Sequence, residues 1–223
     1  MEIEICTASL QSVKNAIAGG AYRVELCSNL NVGGLTPSME EVEFCVKQGL
    51  QTRVLIRPRE GDFVYTEEEY QQILSDIDSC KRLGAKAVVV GFLNEDGSID
   101  VKRTRESVLR ARPMEVTFHR AIDECNDPLV ALEQIIECGC DKVLTSGHEP
   151  TAEQGMAMLK KMVVQAKGRI AVIAASGVTA VNARRIMDET GVNEVHGSCK
   201  TTLPNGVTET STAAVKELMS NKI

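Results

Sequence analysis

The chain of 223 residues has no tryptophan, and aromatic side chains make up only 3% of it, so its core must be built from Val, Ile, Leu, Ala and Met. Compact aliphatic side chains of this kind suit tightly stacked parallel strands. An excess of positive charge is also missing. The 31 acidic against 25 basic residues leave a net charge of −6, which argues against a nucleic-acid or membrane-surface partner, since either would need a basic stripe. No stretch of about 18 uncharged apolar residues occurs, so no membrane span is expected. The opening Met1-Glu2-Ile3-Glu4 lacks a basic leader region, and the expectation is a soluble, cytoplasmic protein. The eight cysteines are too sparse for a disulfide-stapled scaffold, and a cytosolic setting would keep them reduced and free for chemistry. No Pro/Ser-rich or single-charge linker interrupts the chain, so one domain over residues 1–223 is expected.

What is present is a repeat. Eight short strand-like runs, at 2–6, 23–27, 53–57, 87–91, 116–120, 142–146, 169–173 and 193–196, alternate with segments of helical periodicity. The helical segments are 9–18, 39–48, 66–83, 101–111, one opened by Asp127-Pro128 and closed by Gly139, then 152–166, 179–189 and 211–219. Thr36-Pro37-Ser38 reads as a cap followed by a proline in the first helical turn. No Gly-x-Gly-x-x-Gly turn follows Cys6, which argues against a dinucleotide-binding sheet. Eight strands each followed by a helix predict an α/β fold, a single-domain (β/α)8 TIM-type barrel.

Strand alternation then sorts the side chains, because residues two apart share a face. With Ile3, Ile5, Val24, Leu26, Val54, Ile56, Val116, Phe118 and Val195 facing the helices, the interior receives Glu4, Cys6, Glu25, Cys27, Arg53, Arg57, Thr117, His119, Glu194 and His196. Buried carboxylates need counter-charges, and Arg53 and Arg57 are the expected ones. Glu4, Glu194 and Arg53 form an expected structural layer, whereas Cys6, Cys27, Arg57, His119 and His196 fall at strand C-terminal ends, where barrels keep their sites.

Several strings at these ends resemble the CutC copper-homeostasis family: Glu25-Leu26-Cys27, Gly33-Gly34-Leu35-Thr36-Pro37-Ser38, Ile56-Arg57-Pro58-Arg59 with Gly61-Asp62-Phe63, Val116-Thr117-Phe118-His119-Arg120-Ala121, Val143-Leu144-Thr145-Ser146-Gly147 and His196-x-Ser198. The resemblance implies a TIM-type barrel, a cytoplasmic copper-handling role, a homodimer, and Cu(I) bound by Cys6 and Cys27. His196 and Cys199 are further candidate ligands. Adjacent parallel strands about 4.8 Å apart bring two inward thiols within reach of one ion, and soft Cu(I) favours thiolates. The chain departs from the family pattern at Ala174-Ala175-Ser176-Gly177 and at Arg59-Glu60-Gly61, where the family is richer in glycine. Both changes weaken a phosphate cradle built from backbone N–H groups.

The same rim also supports an alternative: a barrel lyase, isomerase or hydrolase acting on a small anionic or phosphorylated metabolite. In that reading Arg57 and Arg59 clamp the anion, Ser146 and Ser198 orient it, and His119 with Glu25 forms the acid/base pair. No inward lysine stands at a strand end, which counts against Schiff-base chemistry. Cys138-Gly139-Cys140 has compact metal-site spacing but precedes a strand, on the opposite face, and is expected to pack. Cys45 and Cys80 read as helix packing residues, and Cys125 falls in a loop on the site face.

Overall fold

In the computed structural model, which describes residues 2–204 and 206–221, eight parallel strands close into a barrel in chain order. They are β1 (Glu2–Thr7), β2 (Arg23–Leu26), β3 (Gln51–Leu55), β4 (Ala87–Val90), β5 (Glu115–Phe118), β6 (Lys142–Thr145), β7 (Ala171–Ala174) and β8 (Glu194–Gly197). Around them lie α1 (Leu10–Ala18), α2 (Met39–Lys47), α3 (Glu67–Leu83), α4 (Val101–Ala111), α5 (Pro128–Glu137), α6 (Met156–Ala166), α7 (Ala183–Thr190) and α8 (Thr212–Ser220). Closure pairs β1 with β8, placing Ile3 opposite Val195 and Glu4 opposite His196.

The apolar side chains divide as strand parity requires. Ile3, Ile5, Val24, Leu26, Val54, Ile56, Val116, Phe118 and Val195 belong to one large cluster between strands and helices. Cys6, Cys27, Leu55 and Val89 form a separate small cluster inside the barrel. The inward face is buried too, but in β1, β2, β5 and β8 it carries charged or polar side chains, so these strands alternate, whereas β4, apolar on both faces, reads as a short aliphatic run.

Helix starts are set by local chemistry. Ser38 caps α2 and Thr66 caps α3, each in a reciprocal box with a glutamate three residues on, Glu41 and Glu69. Asp127 caps α5, with Pro128 in its first turn. The expected order at the start of α2 is therefore reversed: Pro37 precedes the cap and is not in the helix. α6 and α7 begin at Met156 and Ala183, later than expected, after turns. A two-stranded antiparallel ribbon, β9 (Lys200–Thr202) with β10 (Thr208–Thr210), stands between β8 and α8 and was not foreseen.

The barrel floor is ionic. Glu4 Oε2 lies 3.0 Å from Arg53 Nε and 3.3 Å from Arg23 Nε. Arg23 Nη2 reaches Glu194 at 2.9 Å, Lys142 Nζ reaches the other Glu194 oxygen at 2.5 Å, and Arg53 Nη2 reaches Glu115 at 2.6 Å. The Nε contacts to Glu4 lack good hydrogen-bond alignment, so they act through charge. Three carboxylates thus face three cations, which offsets the cost of burying them. The expected counter-charge Arg57 is not among them. Arg23 and Lys142 take its place, each entering from the first residue of its strand on the inward side.

Candidate functional site

The mouth of the barrel encloses a cavity of about 920 Å³. Cys6 from β1, Glu25 from β2 and His196 from β8 line one side of it, and one ligand atom from each lies within 4.8 Å of the others. The closure of β8 on β1 and the pairing of Cys6 with Glu25 make these three neighbours. Cys27, just past β2, lies behind them with its Sγ 3.9 Å from Cys6 Sγ, and the Cys6 thiol also faces Glu25 Oε1 at 3.9 Å. Cys27 Sγ is further directed at the Thr7 carbonyl, 3.6 Å away.

Glycine makes room for this pair. A side chain at Gly34 (φ +92°) would put its Cβ 2.7 Å from Leu55 Cδ2 and 3.3 Å from Cys27 Cβ, so the Gly33-Gly34 turn allows the loop to close on the thiols. Arg57 holds the same loop. Its Nη1 donates to the carbonyls of Val32 (2.8 Å) and Gly34 (3.2 Å), and its Nη2 to Gly61 (2.7 Å).

The electrostatics run from floor to mouth through Glu4. His196 Nδ1 lies 2.9 Å from Glu4 Oε1, so Nε2 is the ring nitrogen left for a ligand. Against the effect of burial, the bond to His196 and the charges of His196, Arg23 and Arg53 hold the Glu4 carboxyl down at about 2. Burial alone would discharge His196, but Glu25, Cys6 and Glu4 hold its imidazole well above the ordinary range. Burial raises Glu25 to about 7, with His196 opposing the rise. The Cys6 thiol is pushed well up by its contact with Cys27 and then by burial. One Glu25 oxygen, Oε2, is buried without a hydrogen-bond partner.

The other expected residues separate by position. His119 lines the cavity, but its Nδ1 accepts the Ala121 N–H at 3.1 Å, while Glu25 meets Cys6; the structure forms no His119–Glu25 hydrogen bond. Burial and then the Arg57 charge lower His119 to about 3. Arg59, expected at the anion, is not part of the cavity wall: it is spent on Glu69 (2.6 Å), Asp62 (2.9 Å) and the carbonyls of Glu60, Asp62 and Val64. Ser146 is fully buried and turned away, its hydroxyl held between Asp123 and the Glu149 carbonyl. Ser198 and Cys199 do line the cavity, yet Cys199 is outside the Cys6–Glu25–His196 group, and burial raises its thiol to about 11. Cys125 and Cys140 are core residues, and Cys138 Sγ points at the Val101 carbonyl, 3.5 Å away.

The sequence places Glu25 inward on a strand next to Cys6 and in an acid/base pair with His119, and does not mark it as part of a ligand group with Cys6 and His196. The strand register, one step from the parity argument, brings them together. Asp123 fixes Thr145, Ser146 and the His148 N–H and lines the cavity.

No helix among the described residues is long and apolar enough to cross a membrane. The profile of the CutC family matches residues 1–201. The family protein CutC of Vibrio campbellii is 45% identical over 210 residues, covering 93% of this chain and 85% of the relative. That of Parabacteroides distasonis is 46% identical over 200 residues, covering 89% and 82%. The crystal structure of CutC from Streptococcus agalactiae superposes with a TM-score of 0.83 at 30% identity, covering 89% of this chain and 98% of the other. With the barrel, the thiol pair at its mouth and matches of this extent, the chain belongs to the CutC family.

Proposed function

We propose that this protein handles copper, taking up one Cu(I) at the barrel mouth on the thiolates of Cys6 and Cys27 with His196 Nε2 as a third donor. The observation that carries this reading is the 3.9 Å separation of the two sulfurs. Bonds from a metal to thiolate run about 2.3 Å, so one ion fits between these sulfurs on a bent path that leaves room for a nitrogen. Two thiolates and an imidazole make a soft set suited to Cu(I), whereas Mg or Ca would need oxygen ligands. The Glu4 carboxylate on His196 Nδ1 is the outer-shell partner that ligating histidines usually have, orienting the ring and raising its basicity.

Proton release sets the pH dependence of uptake. Both thiols and the raised His196 imidazole must lose protons as copper binds, and Glu25, 3.9 Å from Cys6, has a carboxyl raised to about 7 that can accept one of them. Binding on thiolates that start protonated weakens as pH falls. The Streptococcus agalactiae relative carries a provisional assignment to copper homeostasis, which agrees in kind. We further propose the cytoplasm, where thiols stay reduced, and a homodimer as the working form.

The test is anaerobic titration with Cu(I) against a competing chelator. One equivalent is expected per wild-type chain. The variant carrying both Cys6→Ser and Cys27→Ser is expected to lose uptake, with His196→Ala weakening it while retaining the two-thiolate site. Undiminished uptake in the double variant would overturn the proposal.

A further inference from the structure

We propose that the cavity also binds a small organic carboxylate, held by Arg57 Nε–H and His119 Nε2–H on the side formed by the ends of β3 and β5. This site uses none of the thiols, and it stands or falls independently of copper.

Arg57 is 7% exposed and, among the described residues, has no carboxylate partner, in contrast to the buried cations Arg23, Arg53 and Lys142. Its guanidinium meets three backbone carbonyls and the face of Phe63, with 4.9 Å to the ring centroid. These are dipoles and a quadrupole, and none supplies a negative charge. The Tyr65 phenol beside it, in hydrogen-bonding reach of the guanidinium, stays un-ionised, since burial pushes it up to about 12, and so brings no charge either. A buried cation left without an anion is costly, and Arg57 Nε has no hydrogen-bond partner.

His119 supplies the second donor. Its Nδ1 accepts the Ala121 N–H at 3.1 Å, so the neutral ring carries its single proton on Nε2. That nitrogen is buried and unpartnered, in a side chain only 5% exposed. The His119 ring lies 4.8 Å from the Phe63 ring, so the two orphan donors flank one apolar side chain, and all three residues line the cavity. At about 920 Å³ the space is in the range of small-molecule sites, roughly 300–1,000 Å³, and far exceeds what a single ion requires. A carboxylate supplies the missing charge and two oxygens for two donors. Phosphate has more oxygens to satisfy than this side of the cavity has donors.

The experiment uses copper-free wild-type protein with ¹⁵N-labelled histidine. The chain has three histidines, so the His119 imidazole signal can be assigned by substitution of His148 and His196. Acetate, pyruvate and succinate are titrated in turn, beside inorganic phosphate and acetamide. The expected result is that at least one carboxylate shifts the His119 Nε2 resonance saturably, that acetamide does not, and that His119→Phe, which keeps a ring but removes the donor, weakens that binding by at least about tenfold, as loss of a bond to a charged group implies. The proposal is overturned if no carboxylate moves the signal, if phosphate alone does, or if folded His119→Phe binds as tightly as wild type. The wild-type titration decides even if the variant fails to fold.

Discussion

Gly91 owes its identity to the side chain beside it. A methyl there would sit 2.4 Å from the Cε1 and Nδ1 atoms of His119 and 3.1 Å from Ala121 Cβ, so the imidazole occupies the volume that any other residue would fill. Gly91→Ala is expected to cost about 2 kcal/mol as an overpacked site and to break the His119–Ala121 bond, seen as a lower urea midpoint with a displaced His119 imidazole signal. A variant of wild-type stability with an unmoved signal would show that the ring has slack. Residue identity at the mouth was partly legible in the sequence. Parity alone put Cys6, Cys27, Glu25, His119 and His196 inside, because a strand leaves only two directions for a side chain. The roles of Arg57 and Arg59 were not legible, since their partners are loop carbonyls and a helix-cap glutamate, whose positions depend on how loops fold back. Arg23 and Lys142 could have been found by extending the same parity to the first residue of each strand.

At the scale of elements, helix starts are the most sequence-determined features. Thr66 accepts the Glu69 N–H while Glu69 returns to the Thr66 N–H, and Glu69 also anchors Arg59 at 2.6 Å. Thr66→Ala is expected to lower stability by about 1 kcal/mol, measured by urea unfolding, and to leave Cu(I) uptake unchanged because α3 supplies no ligand. The β9–β10 ribbon escaped notice for a physical reason. Its residues are mostly exposed threonines and a lysine, with no buried face to impose an apolar alternation. It nevertheless joins the site wall, since Lys200 opens it directly after Ser198 and Cys199.

At the scale of the whole molecule, the barrel is held by an apolar shell outside the strands and an ionic plug inside them, and pH acts on the interior with two signs, through Glu4 in the plug and through Glu25 at the mouth. Glu4 is held down at about 2, from an unfolded value near 4.5. Its contribution is present above pH 4.5 and is lost as pH falls through 2, amounting to roughly 3 kcal/mol. Glu25 is raised to about 7, so its contribution is complete below 4.5 and is lost as pH rises through 7. Urea midpoints across pH should therefore fall on the acid side through Glu4, a fall that Glu4→Gln replaces with a pH-independent loss. Between pH 4.5 and 7 the decline due to Glu25 should flatten in Glu25→Gln. Unchanged slopes in both variants would mean that neither Glu4 in the plug nor Glu25 at the mouth governs the pH response. The barrel itself was legible because eight strand-helix repeats admit few closed arrangements. The plug's pairing was not, because it depends on register across strands distant in the chain.

The copper reading is tested most directly by X-ray absorption at the copper edge on anaerobically loaded protein with one Cu(I) per chain. The predicted shell is two sulfurs and one nitrogen, falling to one sulfur when Cys27→Ser is loaded in the same way. A shell made of oxygen and nitrogen alone, or one whose sulfur count is unchanged by Cys27→Ser, would contradict it.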